Sequence, residues 1–136
     1  DYDMSVVPMV IKKLHSNKCR IVFLTRRADC LICDIDNFNS ADWIGVSISE
    51  QCVKNSSIKD IENLFALAQK RKIKTWISLE PISTFRFACQ IIGMFKDKVD
   101  FIRVGKNDLN FDGGELWEDI KSKINKLNIQ NVFVKK

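Results

Sequence analysis

Five short runs of β-branched, aromatic and aliphatic residues constrain this chain most: RIVFL (20–24), WIGVSI (43–48), TWISL (75–79), FIRV (101–104) and NVFV (131–134). Their onsets at Ile21, Ile44, Thr75, Phe101 and Val132 are separated by 23, 31, 26 and 31 residues. A hairpin returns within a few residues, whereas parallel strands need a crossover of about a dozen or more, normally a helix. The spacing is that of βα units and predicts a parallel sheet with right-handed crossovers. The runs are apolar at consecutive positions, which predicts strands covered on both sides by helices.

The spacers supply those helices. Ile58, Ile61, Phe65 and Ala68 recur on one helical face. Ser57 and Asp60 open it as a capping box, and Lys70, Arg71 and Lys72 close it with cations that suit the dipole. Phe85, Ala88, Ile92 and Phe95 mark a second helix. Leu116, Ile120, Ile124 and Leu127 mark a third, opened by Asp112 and Glu115. Residues 6–14 read as a helix ahead of the first strand, with Pro8 tolerated in its first turn. The spacer 25–42 has room for only a turn or two of helix.

A closed eight-unit barrel needs about 250 residues, and this chain has 136. The expected fold is therefore α/β, a single (β/α) domain over residues 1–136 whose parallel βα units form about half of a TIM-like barrel. A small open doubly wound sheet is the alternative. The chain begins at Asp1 and its first methionine, Met4, lies within a helix-like stretch, so we read it as the C-terminal portion of a longer protein.

With 46% hydrophobic and 29% charged residues the chain is globular. No apolar run approaches the ~20 residues that cross a bilayer. There is no basic-then-apolar leader, and five cysteines at irregular spacing suit a reducing compartment, so a cytoplasmic protein is expected. The net charge of +5 allows an anionic partner such as nucleic acid or phosphate, although a solvated lysine-rich surface accounts for it equally.

Parallel α/β proteins bind ligands at the carboxyl ends of their strands. Here those ends read Thr25-Arg26-Arg27, Ser47-Ile48-Ser49-Glu50, Ser78-Leu79-Glu80-Pro81 and Gly105-Lys106-Asn107-Asp108. Ser78 and Glu80 alternate with Ile77 and Leu79, so both point to one face, and Pro81 is expected to stop the strand just after the carboxylate. That carboxylate suits ribose hydroxyls or an ammonium group; structurally, it would pair with Arg26 or Lys106.

At these residues a family resemblance enters. FLTRRAD, DWIGVSIS, IKTWISLEPI and DFIRVGKND resemble the later strands of radical S-adenosylmethionine (radical SAM) proteins. The likeness is to a phage and bacterial branch with T-K-R, G-V-S and S-L-E-P at successive strand ends, and more distantly to spore photoproduct lyase. It runs from about Arg20 to Asp108. It implies a partial (β/α) barrel that binds S-adenosylmethionine beside a [4Fe-4S] cluster. The C-x-x-x-C-x-x-C loop that holds the cluster is not in this sequence, so the cluster-binding half would lie upstream or in another chain. Carried over by position, Thr25, Arg26, Ser47, Ser49, Ser78 and Glu80 would line the cofactor and substrate side, with Lys106 meeting an anion at the barrel mouth. Arg26 stands where the family often has lysine, which keeps the charge and changes its geometry.

Other candidates have plainer readings. Cys30-x-x-Cys33 follows the first strand, but two thiolates are too few for a cluster, and His15 and Cys19 lie beyond the strand's other end. A strand of that length spans roughly 17 Å, too far for all four to share one zinc. A thioredoxin-like role for the pair would want a low thiol pKa. Cys52 and Cys89 read as core or helix-face residues. Asp108, Asn110, Asp112, Gly113 and Asp119 approach a calcium-loop pattern, but a strand precedes them and Asp119 replaces the usual glutamate. Trp43 and Trp76 read as core, and His15, the only histidine, offers no catalytic triad.

Two functions are thus expected in competition. One is the C-terminal half of a radical SAM enzyme acting on an unidentified substrate and inactive alone. The other is a non-catalytic basic α/β module that binds nucleic acid or a protein partner.

Overall fold

A computed structural model describes residues 6–50, 57–106 and 116–135. Helix α1 (Val6–Ser16) precedes β1 (Val22–Thr25). Helix α2 (Ala28–Asp34) and a 3-10 turn (Ile35–Asn37) lead to β2 (Trp43–Ile48). There follow α3 (Ile58–Lys70), β3 (Lys74–Ile82), α4 (Phe85–Phe95), β4 (Phe101–Lys106), α5 (Trp117–Lys126) and β5 (Val132–Val134). The five strands form one sheet in the order β1-β2-β3-β4-β5, and every neighbouring pair is parallel. The fold is α/β, built of parallel βα units in a partial-barrel arrangement. No helix of the described residues is long and apolar enough to cross a membrane.

The helices form where their sequences favour them. The Ser57 hydroxyl accepts from the Asp60 N–H at 3.1 Å and the Ser57 N–H donates back to the Asp60 carboxylate at 3.3 Å, completing the expected capping box. Thr84 caps α4 through the Phe87 N–H at 3.3 Å. Helix α5 starts after Leu116 without a side-chain cap, and Asp112 and Glu115 lie outside the described residues.

An unbroken strand order with right-handed crossovers places the connecting helices on one side of the sheet. Burial agrees. Ile44, Val46, Ile77, Leu79, Ile102 and Val104 from the sheet join one core with Leu31, Leu64, Phe65, Ile92, Phe95 and Ile120 from the helices. On the other face Val22, Leu24 and Phe133 are 68%, 46% and 57% exposed. The expectation of helices on both sides is therefore corrected for the described residues. The runs are apolar on both faces because the second set of side chains packs on itself: Phe101 stacks on Trp76 at 5.3 Å and meets Trp43 at 5.5 Å and Phe133 at 6.0 Å. Trp76 is buried, as expected, and Trp43 half-buried, but both belong to this aromatic layer and not to the core beneath the helices.

Two carboxylates tie the amino ends of the strands. Asp42, fully buried, accepts from the Ile21 N–H at 3.0 Å and the Asn39 N–H at 2.8 Å, and lies 2.8 Å from His15 Nε2. Asp100 accepts from the Thr75 N–H at 2.7 Å and from Lys74 Nζ at 3.0 Å. The edge opposite the strand tips is thereby pinned, and the tips are left to carry a site.

Candidate functional site at the strand tips

Residues paired across neighbouring strands project to the same face, so the register sorts the candidates. Leu24, Gly45, Trp76 and Phe101 form one row of the open face. Ser47, Ser78, Arg103 and Phe133 form the next row towards the carboxyl ends. One step further, Glu80, Gly105 and Lys135 stand together.

This last group is held by a bulge. Pairing between β3 and β4 shifts between Leu79 and Ile82, so Glu80 and Pro81 together oppose the single Gly105. The strand therefore does not stop at Pro81 but runs on to Ile82. A proline is tolerated inside a sheet at such a bulge, where the ladder does not need its N–H.

Glu80 lies across β4. Its carboxylate fills the space above Gly105, where an added Cβ would come within 2.7 Å of both carboxylate oxygens. From there it reaches Lys135, whose Nζ donates to Oε1 at 2.6 Å and also to Oε2. The expected partners, Arg26 and Lys106, are thus corrected to Lys135. Arg26 sits past the end of β1, two strands away, and Lys106 pairs in register with the core residue Ile82.

Ser47, Ser78 and Glu80 come together on the open face, and Ser49 follows just past β2, almost fully buried. Thr25 and Lys106 do not join them. Thr25 shares its row with the core residue Val46, and its hydroxyl accepts from the Arg27 N–H at 2.9 Å, turning the chain into α2. Arg26 is exposed beside it. Glu50 ties the tip of β2 to the start of α4, accepting from the Ser83 and Thr84 N–H groups at 3.2 and 3.0 Å and from the Thr84 hydroxyl at 2.9 Å. Asn107 and Asp108 lie outside the described residues.

Arg103 and Lys135 were missed by the sequence reading, and Gly105 was placed at a strand end without a role. A signal existed for each: a lone charge inside the apolar run FIRV, a glycine beside a strand tip, and a lysine two residues beyond Phe133 in alternating phase.

The cysteines lie elsewhere. Cys30 and Cys33 are free thiols on α2, half-buried and exposed respectively. Burial pushes the Cys30 thiol up, and the charge of Asp29 pushes it further, the opposite of what a reactive thiolate needs. Among the described residues no three His, Cys, Asp or Glu side chains gather to hold a metal ion. The candidate calcium loop lies outside the described residues apart from Asp119, which belongs to α5. Comparison with protein-family models, with curated proteins and with solved structures found no match.

Proposed function

We propose that the chain is the C-terminal half of a radical SAM-type enzyme, its open face turned to S-adenosylmethionine and substrate. The cluster-binding half would lie in upstream sequence or in another chain. One observation carries this reading: two central parallel strands bring Ser47, Ser78 and Glu80 to the carboxyl end of a single face, above an aromatic layer. Ligands of parallel α/β sheets sit at that end.

The donor set suits the cofactor. A carboxylate at Glu80 accepts from ribose hydroxyls or from an ammonium group, and the serine hydroxyls donate and accept. Lys135 fixes the direction of that carboxylate. Bound beside a reduced iron–sulfur cluster, S-adenosylmethionine supplies hydrogen abstraction from a substrate C–H bond. The work of this chain is to position the cofactor and to exclude water. No described residue is assigned to the cluster, because no thiol group converges with two further ligands.

Saturation-transfer NMR tests the reading. Irradiating the protein in millimolar S-adenosylmethionine should give signals on the ribose and adenine protons, and Glu80→Gln should abolish those on the ribose. An absence of signal with the unsubstituted chain counts against the proposal.

A further inference from the structure

Arg103 is an unusual residue for its place. It lies on β4, an interior strand of the sheet, and its row on the open face runs Ser47, Ser78, Arg103, Phe133. It is exposed, and among the described residues it has no hydrogen bond, ion pair or ring contact. Among the described residues the one acidic group beside it on this face, Glu80, is already bound to Lys135. A positive charge is therefore left over in the middle of the face, on a chain whose net charge is +5.

We infer that Arg103 is the anion-binding residue of a nucleoside phosphate subsite, with Ser78 beside it and Phe133 as the stacking surface. A guanidinium is a planar fork that binds phosphate through two parallel hydrogen bonds. Ser78, its register partner on β3, brings a hydroxyl to the same row from a largely buried position. Phe133, its partner on β5, is 57% exposed and packs edge-on against Phe101 at 6.0 Å. An open ring braced from below is a platform for a base, and base stacking tolerates every base. Arg103 and Phe133 are register partners on neighbouring strands, so the anion-binding group and the ring start from adjacent positions of one row. The inference rests on the preceding proposal only in treating the open face as a binding surface, and it names the substrate class that face would take.

The probes are adenosine monophosphate, adenosine, inorganic phosphate and a six-nucleotide single strand, each titrated into the full chain and followed by 15N–1H NMR. The monophosphate should shift the amides of Arg103, Ser78 and Phe133, and should bind at least about tenfold more tightly than adenosine or phosphate alone. Arg103→Gln should weaken the monophosphate about tenfold and leave adenosine unchanged, while Phe133→Ala should weaken both. Both side chains are exposed, so circular dichroism should report an intact fold. Tighter binding of the single strand, lost with Arg103→Gln, supports the subsite with nucleic acid as the source of the phosphate. Tighter binding of the monophosphate supports it with a free nucleotide. Equal affinities for adenosine and its monophosphate, or an Arg103→Gln variant that binds as well as the parent, overturns the inference. Loss of the S-adenosylmethionine signals with these shifts retained would sink the cofactor proposal alone.

Discussion

The Glu80 carboxylate lies directly above the Cα of Gly105, and by crossing that gap it reaches Lys135, just past the end of β5. Strand β3 leans the other way lower down, where the Trp76 indole covers Gly45. Two glycines on flanking strands thus receive two side chains from β3, one polar and flexible, the other flat and rigid.

Substituting each glycine should separate function from stability. In Gly105→Ala the new methyl meets the free end of Glu80, which swings aside and gives up Lys135. Ion pairs this accessible contribute about 0–1 kcal/mol, so the fold should hold while ribose contacts are lost. In Gly45→Ala the methyl meets the indole, within 2.9 Å of its Cδ1. A ring cannot fold away, and overpacking of this kind costs about 1–3 kcal/mol. Urea midpoints of the two variants should differ accordingly; equal midpoints would refute the distinction.

Asp42 should be the most costly carboxylate to remove. Asp42→Ala strands the N–H groups of Ile21 and Asn39 and leaves a gap beside His15. A buried donor left without a partner costs about 1–3 kcal/mol. Of the two only the Ile21 N–H is buried, so a loss of about 1–3 kcal/mol is expected in urea denaturation. A loss below about 1 kcal/mol would mean that water replaces the carboxylate.

Asp100 predicts a pH dependence. Desolvation alone would raise its pKa, but hydrogen bonds from the Thr75 N–H and Lys74, with the charge of Lys74, outweigh it and hold the carboxyl below its ordinary value. A depressed native pKa means that the unfolded chain binds the proton more readily. The stabilisation is therefore present above the unfolded value, about 3.9, and is lost as pH falls through the lower native one. The stability difference between the parent and Asp100→Asn should be constant from neutral pH to about pH 5 and shrink below pH 4. A difference that does not change with acid would show that Asp100 acts without its charge.

Cys30 should be a slow thiol. Burial and the neighbouring Asp29 raise its pKa, while Cys19 and Cys33 are exposed. Alkylation by iodoacetamide at pH 7.5, followed by peptide mass spectrometry, should label Cys19 and Cys33 well before Cys30. Preferential labelling of Cys30 would revive a redox role for the C-x-x-C pair.

What the sequence made legible was local. The strand runs, the Ser57–Asp60 box and the buried faces of α3 and α4 all follow from patterns within a dozen or so residues, and the βα spacing from simply counting between those runs. What it hid depends on lateral registration. The link between Glu80 and Lys135 joins residues 55 apart, and no short-range pattern announces it. One-sided helical cover was hidden because a stretch such as TWISL is equally apolar whether its second face meets helices or other aromatic rings. At the site, alternation correctly put Ser78 and Glu80 on one face but said nothing of Thr25, which turns into α2, or of Arg103, masked by its apolar neighbours.

The irregularity between Leu79 and Ile82 has a consequence for parity. In a plain strand, positions two apart share a side, so an acid at 80 would bring an isoleucine at 82 out beside it. Because Glu80 and Pro81 share one opposite number, the count slips by one: the acid faces the open side and Ile82, 2% exposed, returns beneath the helices. Flattening the bulge with Pro81 still in the ladder would put positions 80 and 82 on one side, and the chain would then have to wet an isoleucine or bury an acid.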